Sequence, residues 1–171
     1  ELLAYHCREA GLAQAAAAYR YQAGKAALRR SAVQEAVAQL CEGLEILESL
    51  PSATERDRQE LDLRLALGGA LLNAKGRATP EAGAAYERAL ELCGLLGERD
   101  QIFPVLWGLT VVYVHRAELP AAREVAAEML RLAENQDDPV IKVAAHRANS
   151  AALYHLGELV TTRRHLEIVL S

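Results

Sequence analysis

Aromatic and β-branched residues are scarce in this chain. Its 171 residues include 1 Phe, 1 Trp and 6 Tyr, and most of the apolar half of the composition is Ala and Leu. A sheet-based core draws on Val, Ile, Thr and aromatic side chains, so their shortage argues against β architecture. Proline is rare as well, at 5 residues, which leaves long stretches without a helix breaker. Cysteine is limited to Cys7, Cys41 and Cys93. They are odd in number, far apart and without a Cys-X-X-Cys pair, so they read as small core residues in a reducing compartment. No apolar run approaches the roughly 18 residues that span a bilayer. Positive charge is not in excess either: 19 Lys and Arg against 23 Asp and Glu give a net charge of −4. Nucleic-acid binders carry a basic surplus or stripe, whereas Arg29-Arg30 and Arg163-Arg164 are short pairs suited to solvated helix faces. Neither nucleic acid nor a membrane is expected as a partner. Nothing resembles a secretory signal, and the chain opens on Glu1-Leu2-Leu3 without a start Met. It reads as a piece of a longer cytoplasmic protein.

What is abundant points one way. Ala, Leu, Glu, Arg and Gln are strong helix formers, and with 51% hydrophobic and 25% charged residues the chain is expected to fold as an ordinary all-α protein. Breaks in the helical pattern are readable. Pro51-Ser52 interrupts a Leu-rich run, with Thr54 placed to cap the next helix, and Gly76 ends another before Thr79-Pro80-Glu81 opens the following one. Gly97, the segment Ala117 to Pro120 and Asp137-Asp138-Pro139 supply the remaining stops. These predict about eight helices, plus a short one over Leu2 to Ala10, joined by connections short enough to make neighbours antiparallel.

Catalytic motifs are missing. Ala23-Gly24-Lys25-Ala26 has Gly-Lys but lacks the upstream glycine and the hydroxyl residue of a phosphate loop. There is no Gly-X-Ser-X-Gly elbow, no His-Glu-X-X-His and no dinucleotide fingerprint. Helical metal ligands stand three or four residues apart. His146 and His155 do not, and His155 and His165 flank a turn with no third ligand to complete a site, so the histidines read as groove or surface groups. The acidic residues Glu55, Asp57, Glu60 and Asp62 alternate with Arg56, Arg58 and Arg64, the pattern of an exposed helix start rather than of an acid/base pair. No cofactor and no enzymatic activity are expected of this stretch.

The chain repeats itself. Glu35 to Glu45 aligns with Glu81 to Glu91 at an offset of 46, with small and large apolar residues in the same slots. Pro80, Ala82, Ala89 and Leu90 recur at Pro120, Ala122, Met129 and Leu130, and Ala117-Glu118-Leu119 recurs at Gly157-Glu158-Leu159, both at an offset of 40. Such periods mark a helical solenoid. The small and large positions Gly24, Ala36, Leu40 and Gly43, then Ala82, Tyr86 and Ala89, then Ala122, Ala126 and Met129, and in outline Thr162, Leu166 and Val169, resemble the tetratricopeptide (TPR) pattern. Thr110 and Ser150 stand where that pattern has glycine and Asn149 where it has leucine. The second repeat needs about two extra residues between Leu67-Gly68 and Ala82. The resemblance implies a right-handed α-solenoid of about four helix-turn-helix repeats, near 17–50, 60–97, 103–136 and 143–171, after a lead-in over 1–16. A HEAT-like or other α-solenoid remains the alternative.

A narrower likeness runs through the chain. Leu3-Ala4-Tyr5-His6, Glu9-Ala10-Gly11-Leu12, Ala23-Gly24, Ser31-Ala32, Glu60-Leu61-Asp62-Leu63, Leu67-Gly68, Pro80-Glu81, Phe103 to Leu109 and Ala145-His146-Arg147 occur in one order. This is similar to the C-terminal repeat region of large bacterial signalling proteins, which join a nucleotide cyclase or Ser/Thr kinase to a STAND-type ATPase. The resemblance implies a regulatory, non-catalytic role in which the repeats bind a protein or peptide on a concave face lined by the first helix of each repeat. That face would receive Tyr21, Lys25 and Arg29 from the first repeat, Trp107, Val111, Val114 and His115 from the third, and Arg147, Ala151, Tyr154 and His155 from the fourth. The second repeat adds Arg64, Leu71 and Lys75 in one register, or Asp62, Leu65 and Asn73 in the other. The first register makes a cationic, aromatic groove for a segment with acidic and apolar anchors. Two alternatives are self-association through apolar solenoid ends such as Leu166, Ile168, Val169 and Leu170, and a repeat domain that senses a small molecule.

Overall fold

The structure, a computed structural model, describes residues 12–134 and 136–170, so the expected helix over Leu2 to Ala10 lies outside it. The described residues form eight α-helices and no strand: α1 (Ala13–Arg29), α2 (Val33–Glu48), α3 (Thr54–Lys75), α4 (Pro80–Leu96), α5 (Ile102–His115), α6 (Leu119–Glu134), α7 (Pro139–His155) and α8 (Leu159–Leu170). None is long and apolar enough to cross a membrane.

The helix boundaries follow local chemistry. Pro80 and Pro139 take first-turn positions, where a missing N–H costs no hydrogen bond. The Asp138 carboxylate accepts from the Val140 N–H at 2.8 Å and caps α7. The start of α3 differs from expectation. Thr54 is its first helical residue and Ala53 holds the cap position in extended conformation, so no hydroxyl caps the backbone there. Thr79 does occupy the cap position of α4, but its hydroxyl bonds the Glu81 carboxylate instead of accepting from the backbone.

The chain divides into two compact units, one up to Arg99 and one from Asp100. In the first unit α1 packs on α2, α2 on α3 and α3 on α4, and α1 also touches α3. In the second unit α5 packs on α6, α6 on α7 and α7 on α8, and α5 touches α7. Each unit is thus a pair of helical hairpins whose first helices lie side by side. The three apolar positions read as recurrent are buried in α2 (Ala36, Leu40, Gly43), α4 (Ala82, Tyr86, Ala89) and α6 (Ala122, Ala126, Met129). In α8 only Thr162 is buried and Leu166 is exposed.

Within a hairpin a vacancy on one helix faces bulk on the other. A methyl group on Gly24 would lie 2.8 Å from Leu40, and one on Gly68 would lie 2.7 Å from the Tyr86 ring, inside van der Waals contact. The departures from glycine have a different solution. Thr110 is buried, its hydroxyl donating to the Leu106 carbonyl at 2.9 Å and standing 3.8 Å from the Met129 sulfur. Ser150 likewise returns its hydroxyl to the Arg147 carbonyl at 2.8 Å. Asn149, in a leucine slot, donates to the Ala126 carbonyl of α6 at 2.5 Å and so ties α7 to α6. The uncertain register of the second repeat also finds its cause: α3 has 22 residues, against 17, 14 and 17 for α1, α5 and α7.

Four helices end in the same left-handed turn. Ser31, Gly97, Ala117 and Gly157 have φ of 58°, 67°, 59° and 79°. The next N–H in each case bonds a carbonyl five residues back: Ala32 to Ala27, Glu98 to Cys93, Glu118 to Tyr113 and Glu158 to Leu153. Ala117 and Gly157 are the same position of the repeat, and only glycine adopts this conformation without a Cβ penalty. Ala117→Gly is therefore expected to raise stability by about 1 kcal/mol in chemical denaturation, and Gly157→Ala to lower it by about the same.

Candidate interaction face

The second unit presents a distinctive surface on its first helices. Neither α5 nor α7 contains an Asp or Glu. Trp107 on α5 is half-buried, and the exposed Arg147 guanidinium of α7 lies 5.5 Å from its ring centre, within cation–π range. Two turns further along α7, Tyr154 is 60% exposed and meets the His155 ring edge-on at 5.4 Å. On α5, His115 is exposed with Nδ1 2.7 Å from the Val111 carbonyl oxygen, to which it donates. Several other arginines of this unit are held by carboxylates, among them Arg116 by Glu118 at 2.8 Å, Arg123 by Glu158 at 2.7 Å and Arg163 by Glu167 at 2.7 Å. Among the described residues Arg147 has no such carboxylate. Its guanidinium rests on an aromatic face with donors left over.

The first unit departs from the cationic groove. Tyr21 is half-buried with the Lys25 ammonium 5.0 Å from its ring centre, and Arg29 is exposed. Opposite Tyr21, however, stand Glu55, Gln59 and Asp62 of α3, around a cleft of about 240 Å³ that Gln22 and Leu63 also line. Asp62 is thus the α3 residue brought to this face. Arg64 turns towards Glu60, Leu71 is buried in the core and Lys75 bonds Glu81 at 2.7 Å. The face is of mixed charge because α3 rotates to bury Glu60, which carries Arg64 to the α4 side.

Glu60 is the charged group that decides this. It is 4% exposed, receiving Arg56 at 2.6 Å, Arg88 of α4 at 3.0 Å and Arg64 at 3.3 Å. Arg56 also reaches the Leu47 carbonyl at the end of α2 and Asp57, so one carboxylate links three helices. The sequence pattern of alternating charges suggested an exposed helix start; the structure instead buries this acid. Burial pushes its carboxyl up, but the Arg88 hydrogen bond and the charges of Arg88, Arg56 and Arg64 outweigh burial and leave it below its ordinary value. Tyr86 is a packing residue: burial pushes its phenol up to about 12.

The histidines pair differently from the juxtaposition considered for His155 and His165. His146 of α7 and His165 of α8 face each other with Nδ1 atoms 2.7 Å apart and ring centres 5.0 Å apart. Their separation of 19 residues is also that of Arg20 and Gln39, and of Thr110 and Met129, which touch across other hairpins. That recurring spacing was the available signal for the pair. Among the described residues no three His, Cys, Asp or Glu side chains gather as a metal site.

Comparison with known proteins gives little beyond this geometry. No protein-family model matches the chain, and no solved structure matches it. An uncharacterized protein of Rhizobium meliloti (strain 1021) is similar at 26% identity over 157 residues, covering 91% of this chain. The chain spans 15% of that relative's length.

Replacing Glu60 by Ala leaves three guanidinium groups facing one another and is expected to cost about 3 kcal/mol at neutral pH, less than a fully dry site because Arg64 and Arg88 keep partial solvent access. A carboxyl whose folded value is lowered stabilises above its unfolded value of about 4.3 and loses that contribution as pH falls through it. Urea denaturation should therefore show the gap between the native chain and the variant narrowing from about pH 7 to about pH 3.

Proposed function

We propose that this chain is a non-catalytic protein-interaction module of the TPR type, and that the α5–α7 face captures a partner segment with acidic and apolar anchors. One observation carries this reading: two adjacent helices without a single carboxylate present an arginine seated on the chain's one tryptophan. A partner carboxylate meets Arg147 bidentately while an apolar side chain lies against Trp107 and Tyr154. His115 and His155 flank the same two helices. In the first unit Tyr21, with Lys25 against its ring, lies across a cleft from Glu55 and Asp62, so that unit suits a segment of mixed charge. The finer assignment to four TPR-like repeats is supported by the buried small and large slots of α2, α4 and α6 and by the glycine–bulk contacts of the first two hairpins. Placement in the regulatory region of a larger bacterial signalling protein is supported by the motif order, and a bacterial relative of which the matched stretch is a small part fits a larger protein.

Trp107 is a built-in probe. Titration with an array of acidic peptides carrying Leu or Phe anchors should shift its emission for some members. Arg147→Glu should weaken those members by at least about tenfold, and added salt should weaken them as well. Binding that is indifferent to Arg147→Glu would discard the reading.

Self-association is a second reading, favoured by α8, where Leu166, Ile168 and Leu170 are 43%, 49% and 85% exposed. Sedimentation should then show a dimer or larger species that Ile168→Glu converts to monomer. A monomeric native chain at high concentration excludes it.

A further inference from the structure

The His146–His165 contact does something the interaction face does not require. It bridges α7 and α8, in a hairpin whose second helix buries only Thr162. Two imidazole nitrogens at 2.7 Å share one proton: the Nδ1–H of one ring donates to the Nδ1 lone pair of the other, which fixes complementary tautomers. One added proton leaves that bond in place and charge-assisted. A second puts an N–H on each facing nitrogen, so two cations with no lone pair between them stand at hydrogen-bond distance.

We propose that His146 and His165 form a proton-sensitive latch, which holds α8 on α7 while the facing nitrogens share one proton and releases it when each carries its own. Among the described residues no carboxylate stands within ion-pair distance of either ring. On α7, Lys142 lies one turn before His146 and Arg147 beside it, and on α8 Arg164 lies beside His165. Glu167 of α8 is held by Arg163, Glu158 of the turn by Arg123 and Glu128 of α6 by Arg131. The other charges of α6 are Glu124 and Glu134, and the histidine of α5, His115, is bonded to its own helix. Both rings are half-buried. Burial lowers the titration of His146, and burial followed by the charge of His146 lowers that of His165. At the repeat offset of 40 the same two places in α5 and α6 are Leu106 and Val125, so an apolar pair suits this position of the hairpin. The histidines are not needed for packing alone.

The direction with pH follows by linkage. Undocked rings bind two protons below about pH 6.5, and once the docked pair has taken its one proton, docking weakens about tenfold for each further pH unit. Histidine side-chain NMR of the full chain, from about pH 8 to about pH 4.5, tests this directly. The expected record is a first proton taken up below the ordinary histidine value of about 6.5, and the second only as α8 amide shifts move to those of an undocked helix. Two rings titrating independently near pH 6.5 with α8 unmoved would overturn the proposal. A second measurement uses His146→Leu with His165→Val, copied from the neighbouring hairpin. Its α8 amides should keep their docked shifts at acid pH, and loss of α8 docking in this variant at the same pH as in the native chain would also overturn it.

Discussion

The structure depends on how closely two helices of a hairpin approach. Where Gly24 and Gly68 remove a side chain, Leu40 and Tyr86 fill the space, and a single methyl group there would collide. Dense packing of this kind leaves no slack for a volume change, which is why the substitutions in the second unit bring their own compensation. Thr110 folds its hydroxyl back onto Leu106, and its partner is the flexible Met129 rather than a ring. Asn149 turns a lost apolar contact into a hydrogen bond across to Ala126. The hairpin survives because the approach is preserved by different atoms.

That approach also sorts the charges. With the apolar stripes of α2, α4 and α6 committed to the core, the first helices of the second unit keep an outward face. On that face no acid balances Arg147, which leaves a guanidinium resting on an aromatic ring instead of in an ion pair. Such a group is already desolvated on one side and oriented, so a partner carboxylate has less side-chain freedom to remove. The first unit spends its charge differently. Glu60 draws Arg56, Arg64 and Arg88 together at the seam of α2, α3 and α4, and this inward use of arginine leaves acids facing Tyr21.

Sequence spacing carried much of this. Helix ends at Gly76, Gly97 and Gly157 and the proline starts of α4 and α7 stand where turn chemistry puts them. The recurrent trios of α2, α4 and α6 are buried as their pattern required. Spacing failed where identity and environment part company. Glu60 sits in a run of alternating charges that reads as solvated, and nothing local says that Arg88, 28 residues away, will help bury it. His146 and His165 were missed because ligand spacing along one helix was the wrong ruler. The cross-hairpin interval of 19 residues, already present in Arg20–Gln39 and Thr110–Met129, was the right one.

By itself the sequence determined that the chain is helical, where most of its helices start and stop, and which residues of α2, α4 and α6 are core. Those properties are local or periodic: propensity, caps, left-handed turns and a stripe of small and large side chains act within a few residues. Tertiary structure alone decided which side of α3 faces α1, which arginines are free and which histidines meet. A helix turns about 100° per residue, so the length of α3 and the burial of one carboxylate are enough to move Arg64 off a face and bring Asp62 onto it.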